Sequence, residues 1–172
     1  MTDTFSADSA LPGQRELSMT VLMTPDMANF SGKVHGGAIL KKLDEVAYAC
    51  ASRYSGHYVV TLSVDQVLFK QPIMVGELVT FLASVNHVGR SSMEIGIKVV
   101  AEDIREKLIR HTNSCYLTMV AVDREGQPAQ VAPLSLNTPL QKLRFEKAAL
   151  RKKHRKQAEQ EEKRAQQHLR DD

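Results

Sequence analysis

Residues 36–54 read Gly-Gly-Ala-Ile-Leu-Lys-Lys-Leu-Asp-Glu-Val-Ala-Tyr-Ala-Cys-Ala-Ser-Arg-Tyr, and the apolar members of this run decide the architecture. Ile39, Leu40, Leu43, Val46, Ala47, Cys50, Ala51 and Tyr54 recur at three- and four-residue intervals, the period of a helix that turns one broad face inward. Gly56 supplies a stop signal. The spacing therefore predicts one helix of about eighteen residues, apolar enough to be mostly covered.

Outward from that helix the pattern changes to strands. Before it, Leu17, Met19, Val21 and Met23 alternate with Ser18, Thr20 and Leu22 over residues 16–23, and Thr24-Pro25-Asp26 ends the run. After it come four β-like runs, approximately Tyr58–Phe69, Gly76–Val88, Ser92–Glu102 and Lys107–Val122, rich in Val, Ile, Thr, Leu and Tyr. The turns between them are short, which makes neighbours antiparallel, because a parallel crossover needs a dozen residues or more. Five such strands cover one apolar helix only by curling around it, so the class is α+β with a five-stranded antiparallel sheet wrapped on a central helix. A sheet of this kind leaves an edge open, and pairing that edge with a second copy predicts a dimer with a continuous sheet.

Three segments follow along the chain: a loose leader at 1–15, the folded domain at 16–138 and a basic helical tail at 139–172. Residues 1–140 carry 12 Lys+Arg against 14 Asp+Glu, whereas residues 141–172 carry 11 against 6. A nearly neutral body with a basic tail argues against nucleic acid as the partner of the fold. After Leu150 the tail offers almost nothing apolar, so it reads as a solvated helix or frayed tail, with an element that binds nucleic acid or anionic lipid as the alternative. Cys50 and Cys115 have no C-x-x-C spacing and no paired histidines, which predicts buried free thiols and no metal site. The N-terminus lacks a signal-peptide pattern and no apolar run has membrane-spanning length, so the expected compartment is the cytoplasm.

Two features carry chemistry. Asp44 falls on the flank of the helix's apolar stripe, between Leu40 and Ala47, where a carboxylate is rare unless it binds or reacts. A plain alternative is a half-exposed Asp satisfied by Lys41 or nearby backbone; Glu45, on the polar side with Lys41 and Lys42, is the internal control. The second feature is the helix entrance, residues 29–37, whose Gly36-Gly37 pair lets another group approach free N–H donors at the positive end of the helix dipole. That arrangement serves an oxyanion site or an ordinary loop-to-helix junction equally well.

The segment Asn29-x-x-Gly32-x-x-His35-Gly36-Gly37-x-x-Leu40-x-x-x-Asp44 resembles the active-site segment of the hotdog acyl-CoA thioesterases that act on long- and medium-chain acyl-CoA. Phe69-x-x-Pro72-x-x-x-Gly76 and Val88-Gly89-Arg90-Ser91-Ser92-Met93 resemble that family's strand motifs, in the same order. The resemblance covers about residues 15–135. It implies hydrolysis of a fatty acyl-CoA to free acid and CoA, with no cofactor beyond the CoA of substrate and product. It also implies a site at a dimer interface, Asn29 from one subunit and Asp44 from the other, and hexamers built as trimers of dimers.

Within that scheme Asp44 is general base or nucleophile, Asn29 positions water or the carbonyl, and the Gly37 N–H stabilises the oxyanion. His35 and Gly36 belong to the substrate-contacting entrance, His35 in a structural role. Gly89, Arg90, Ser91 and Ser92 form a turn suited to the pantetheine or phosphate end of CoA, or else a solvated polar hairpin. The acyl chain is expected beside Leu40, Leu43 and Ala47. Alternatives are a non-catalytic acyl-CoA sensor module, a hotdog hydratase or dehydratase, and a thioesterase preferring aryl-CoA.

Overall fold

The computed structural model describes residues 14–65 and 67–171, with the side chains of the terminal helix described through residue 167. The predicted leader lies almost wholly outside the described residues. The elements run β1 (Glu16–Leu22), a short 3-10 turn (Pro25–Met27), α1 (Gly36–Ser55), β2 (Tyr58–Val64), β3 (Leu78–Val88), β4 (Ser92–Asp103), β5 (Leu108–Val122) and α2 (Pro139–Asp171). All strand pairs are antiparallel and the sheet order is β1-β3-β4-β5-β2. Helix α1 contacts every one of the five strands. The curled sheet around one helix is thus the fold that the sequence predicted.

Alternation along the strands builds the core. Phe81 pairs with Val99, Ile97 with Cys115, and Ile95 with Leu117, so the inward residues of β3, β4 and β5 form rows beneath the helix. Ile39, Leu43, Val46, Ala47, Cys50 and Ala51 of α1 are buried against them. Each fully buried Val, Leu or Ile contributes about 1.5–3 kcal/mol relative to exposure, which explains why a helix with this stripe is held inside the sheet. Gly56 ends α1 in the left-handed conformation, φ 71°, and its N–H bonds the Ser52 carbonyl, as its stop signal predicts.

Two sequence expectations need correction here. Leu40 is 42% exposed in the single chain, because it stands with Asp44 and Tyr48 on the outer flank of the helix. Strand β2 ends at Val64 and not at Phe69. Beyond a bulge between Thr61 and Ser63, Asp65 N and Lys70 N still reach the Tyr116 and Thr112 carbonyls of β5, but the regular ladder has stopped. Residues 65 and 67–77 therefore belong to a long irregular connection.

The chain divides after Pro133 into two compact units. The second contains α2, whose start is capped reciprocally: Gln141 Oε1 accepts from Asn137 N and Thr138 N, and Thr138 Oγ1 accepts from Gln141 N. Leu140, Leu143 and Leu150 of α2 are exposed. Among the described residues no helix is long and apolar enough to cross a membrane.

Candidate active site

Asn29 sits in a tight loop closed by the bridge between Ala28 and Val34. Its N–H bonds the Lys33 carbonyl at 2.6 Å, and its own carbonyl accepts from Gly32 N at 3.0 Å. Gly32 takes φ +74°, which a side chain would strain. The side-chain Oδ1 accepts from Ser31 N at 2.9 Å, Ser31 Oγ at 2.8 Å and Lys33 N at 3.2 Å. Two of these partners are backbone N–H groups that only donate, so the oxygen must face them and Nδ2 must point away. That amide is left with two donors and no acceptor among the described residues.

His35 is the N-cap of α1, and its Nδ1 accepts from Gly37 N at 2.9 Å. This bond fixes the tautomer: Nδ1 is bare and Nε2 carries the proton. It also corrects the reading of Gly37 as an open oxyanion donor, because the ring has claimed that N–H. A Cβ on Gly37 would stand 3.1 Å from His35 Nδ1, tighter than ordinary contact, so this glycine keeps room for the cap. The Gly36 N–H, by contrast, has no carbonyl acceptor among the described residues, and the Phe69 ring packs beside its Cα.

Asp44 lies in the third turn of α1 and is exposed in the single chain. Its Oδ1 accepts a hydrogen bond from Thr61 Oγ1 at 2.6 Å. Such a short bond to an ionised acceptor is of the stronger, charge-assisted kind. Thr61 belongs to β2, where it pairs in register with Met119, and its hydroxyl also lies 3.6 Å from the Met119 sulfur. Lys42 pairs with Glu45 at 2.7 Å, so Asp44 is not neutralised by its own helix. Leu40 and Tyr48, one turn before and after, flank the carboxylate with apolar surface, and the Tyr48 ring meets Tyr58 edge-on at 5.8 Å. Leu43 and Ala47, expected to line an acyl groove, are fully buried and leave Leu40 as the accessible member of that trio.

The Gly89–Ser92 turn joins β3 to β4. Gly89 N bonds Ser92 O, Ala121 N bonds Ser91 O and Val131 N bonds Arg90 O, which leaves the Arg90 side chain exposed on a fixed backbone. Register links Thr61 to Met119 and Met119 to Met93, so the turn begins about two strand spacings, ~10 Å, from the partner of Asp44.

One chain does not bring all of these groups together. Eight residues of helix, about 12 Å, separate Gly36 from Asp44. Among the described residues Asn29 binds within its own loop and Asp44 binds Thr61. A cleft of about 400 Å³, lined by Met74–Glu77 and Asp103–Arg105, contains none of the predicted site residues. Cys50 and Cys115 are free and buried, as expected, and burial pushes each thiol up to about 12. No group of three or more His, Cys, Asp or Glu among the described residues is placed to hold a metal.

Sequence reasoning missed Thr61. A threonine in a predicted strand is ordinary, and only the packing of α1 on β2 places it beside Asp44.

A model of the Thioesterase superfamily matches residues 31–108. The Helicobacter pylori protein VdlD is 49% identical over 151 residues, which is 88% of this chain and 85% of the relative. A solved apo-hexameric acyl-CoA thioesterase is 34% identical, with a TM-score of 0.81 over 86% of this chain and 95% of its own. An acyl-CoA hydrolase of Staphylococcus aureus, solved with butyryl-CoA, CoA and CoA disulfide, is 29% identical with a TM-score of 0.80, covering 90% of this chain and 94% of its own. That hydrolase has also been solved as variants carrying alanine in place of one Asp, one Asn and one Thr.

Proposed function

The chain belongs to the hotdog acyl-CoA thioesterase family, and from that premise we propose that it hydrolyses fatty acyl-CoA in a site completed by two subunits. The observation that carries this reading is the Asp44 carboxylate, held by Thr61 of the β2 edge strand and not neutralised by a cation of its own helix.

In the proposed reaction Thr61 holds one carboxylate oxygen and leaves the other to take a proton from water. The water oxygen attacks the thioester carbonyl. Asn29 of the partner subunit, through its unengaged Nδ2, donates to the carbonyl oxygen as charge builds on it. The Gly36 N–H at the helix entrance is the second donor, since the Gly37 N–H is occupied by His35. The tetrahedral intermediate collapses with loss of the CoA thiolate, which is stable enough to leave without a strong general acid. The same carboxylate placed against the carbonyl carbon would instead attack directly and form an anhydride, the nucleophilic form of the reaction.

The partner copy pairs along β2, on which Tyr58, Val60, Leu62 and Val64 are exposed in the single chain. The hexameric relative supports a trimer of such dimers. The Arg90 turn contributes a guanidinium and the hydroxyls of Ser91 and Ser92 to the phosphate or pantetheine end of CoA. The cytoplasm is the proposed compartment and fatty-acid turnover the proposed setting.

A thiol-release assay over acyl-CoAs of increasing chain length tests the reading. Asp44→Ala is expected to lower kcat by about 100- to 10,000-fold, the range attached to a positioned base, with oligomer mass unchanged. Activity within a few-fold of the parent would remove Asp44 from its role.

A further inference from the structure

The Phe69-x-x-Pro72-x-x-x-Gly76 motif lies in the irregular connection between β2 and β3 and is followed by a buried acid, Glu77, only 4% exposed. We propose that Glu77, paired with Arg110, is a positioning residue that sets the Asn29 loop in its working geometry. The inference rests on the role given above to Asn29.

The path is continuous in hydrogen bonds. Glu77 Oε1 is paired with Arg110 Nη2, and Oε2 accepts from Met74 N at 2.9 Å. The second arm of the same guanidinium, Nη1, donates to the Pro72 carbonyl at 2.9 Å. One part-buried ion pair thus grips the connection at residues 72, 74 and 77. Between those grips, Ile73 O accepts from Val34 N at 2.9 Å, and Met74 forms a bridge with Lys33. Lys33 is the residue whose carbonyl holds Asn29 N and whose N–H holds Asn29 Oδ1. From the guanidinium to the amide that faces substrate there is no break longer than one residue of backbone.

The motif residues fit the same purpose. The Phe69 ring lies against Gly36 at the helix entrance, and the Pro72 carbonyl is the one taken by Arg110. Gly76 turns the chain with φ +91° so that Glu77 folds back beneath Met74. Without this brace the connection would be a long loop with no ladder, and the Asn29 loop would lose its outer wall. A planar guanidinium with two parallel donors suits the brace, because one group then fixes a carboxylate and a carbonyl together.

A purely stabilising pair would protect the fold without regard to Asn29, so the test is a double-mutant cycle on turnover. Kinetics on one acyl-CoA are compared for the parent, Glu77→Gln, Asn29→Ala and the double variant, with oligomer mass measured on each. Glu77→Gln is expected to lower kcat by about 10- to 100-fold, the effect of a small misplacement at a reacting centre. KM should stay within about twofold, and in the Asn29→Ala background Glu77→Gln should change kcat by less than about twofold, because the amide it positions is already gone. The same loss in both backgrounds, or a fully active Glu77→Gln enzyme beside an impaired Asn29→Ala enzyme, overturns the inference alone. A fully active Asn29→Ala enzyme removes the role of Asn29 and this inference with it. If Glu77→Gln fails to assemble, Arg110→Lys is put through the same cycle: a single ammonium keeps the charge but cannot hold both Glu77 and the Pro72 carbonyl, so the same non-additive loss is expected and an additive one rejects the proposal.

Discussion

Thr61 makes Asp44 more than an exposed acid. With one oxygen fixed at 2.6 Å by a hydroxyl, the carboxylate presents the other in a set direction, and direction is what a base needs in order to take a proton from an attacking water. Thr61→Val, which keeps the shape and removes the donor, is expected to lower kcat by about tenfold, well short of the loss expected from removing the proposed base, Asp44, while Thr61→Ser restores most of it. Unchanged kcat in Thr61→Val would show that the bond is incidental. Asp44 was legible in the sequence because a carboxylate beside an apolar stripe has to be accounted for; its threonine was not, because the pairing depends on which face of β2 meets the helix. The Gly37 N–H was misread for a related reason: only the rotamer of His35 shows that the donor is taken. The two thiols make a separate prediction. Below pH 9, the ordinary thiol value, both folded and unfolded chains hold these protons; from there up to about 12 the unfolded chain loses them and the folded one does not. Stability should therefore fall as pH rises through that window, and a Cys50→Ala, Cys115→Ala double variant should show a shallower alkaline loss of melting temperature than the parent. An identical alkaline limb in both would mean that the thiols do not contribute.

At the scale of elements, α1 and the strands after it were readable because period and turn chemistry agree along almost their whole length. The exception is the far end of β2. Residues 65–69 keep strand-like composition, yet the ladder stops at Val64, because a bulge shifts the register and the chain departs toward the helix entrance. Composition cannot report a shift of one residue; pairing does. The remaining length of β2 is the edge that matters most. Its outward Val60 and Leu62 are exposed in the single chain, and an unpaired strand with such side chains invites another copy. In a two-fold pairing residue i meets residue j and j meets i, so Val60→Glu with Leu62→Glu would remove apolar surface from both strands and put two acids of each copy into the same seam. Light scattering should then show a shift toward the monomer, with acyl-CoA hydrolysis falling in step. An intact assembly would place the interface elsewhere.

For the whole molecule the issue is whether one chain is sufficient. Residues 1–140 carry a net charge of −2 and residues 141–172 one of +5, and the chain divides after Pro133 into two compact units. All the proposed reacting groups lie in the body, yet Asn29 and Asp44 have separate partners there, and about 12 Å of helix stands between Gly36 and the carboxylate. If the site is shared, Asn29→Ala and Asp44→Ala chains are each inactive alone but complementary when mixed. A mixed dimer contains one site with both groups intact and one with neither. Random exchange makes about half the dimers mixed, so an equal mixture should recover about a quarter of the parent's turnover after the subunits are separated and reassembled together. Recovery should require that reassembly, since subunits already paired cannot exchange groups. No recovery from a mixture shown by mass to contain mixed dimers would mean that each chain uses its own Asn29 with its own Asp44, and the helix would then have to shift relative to the loop to bring them together.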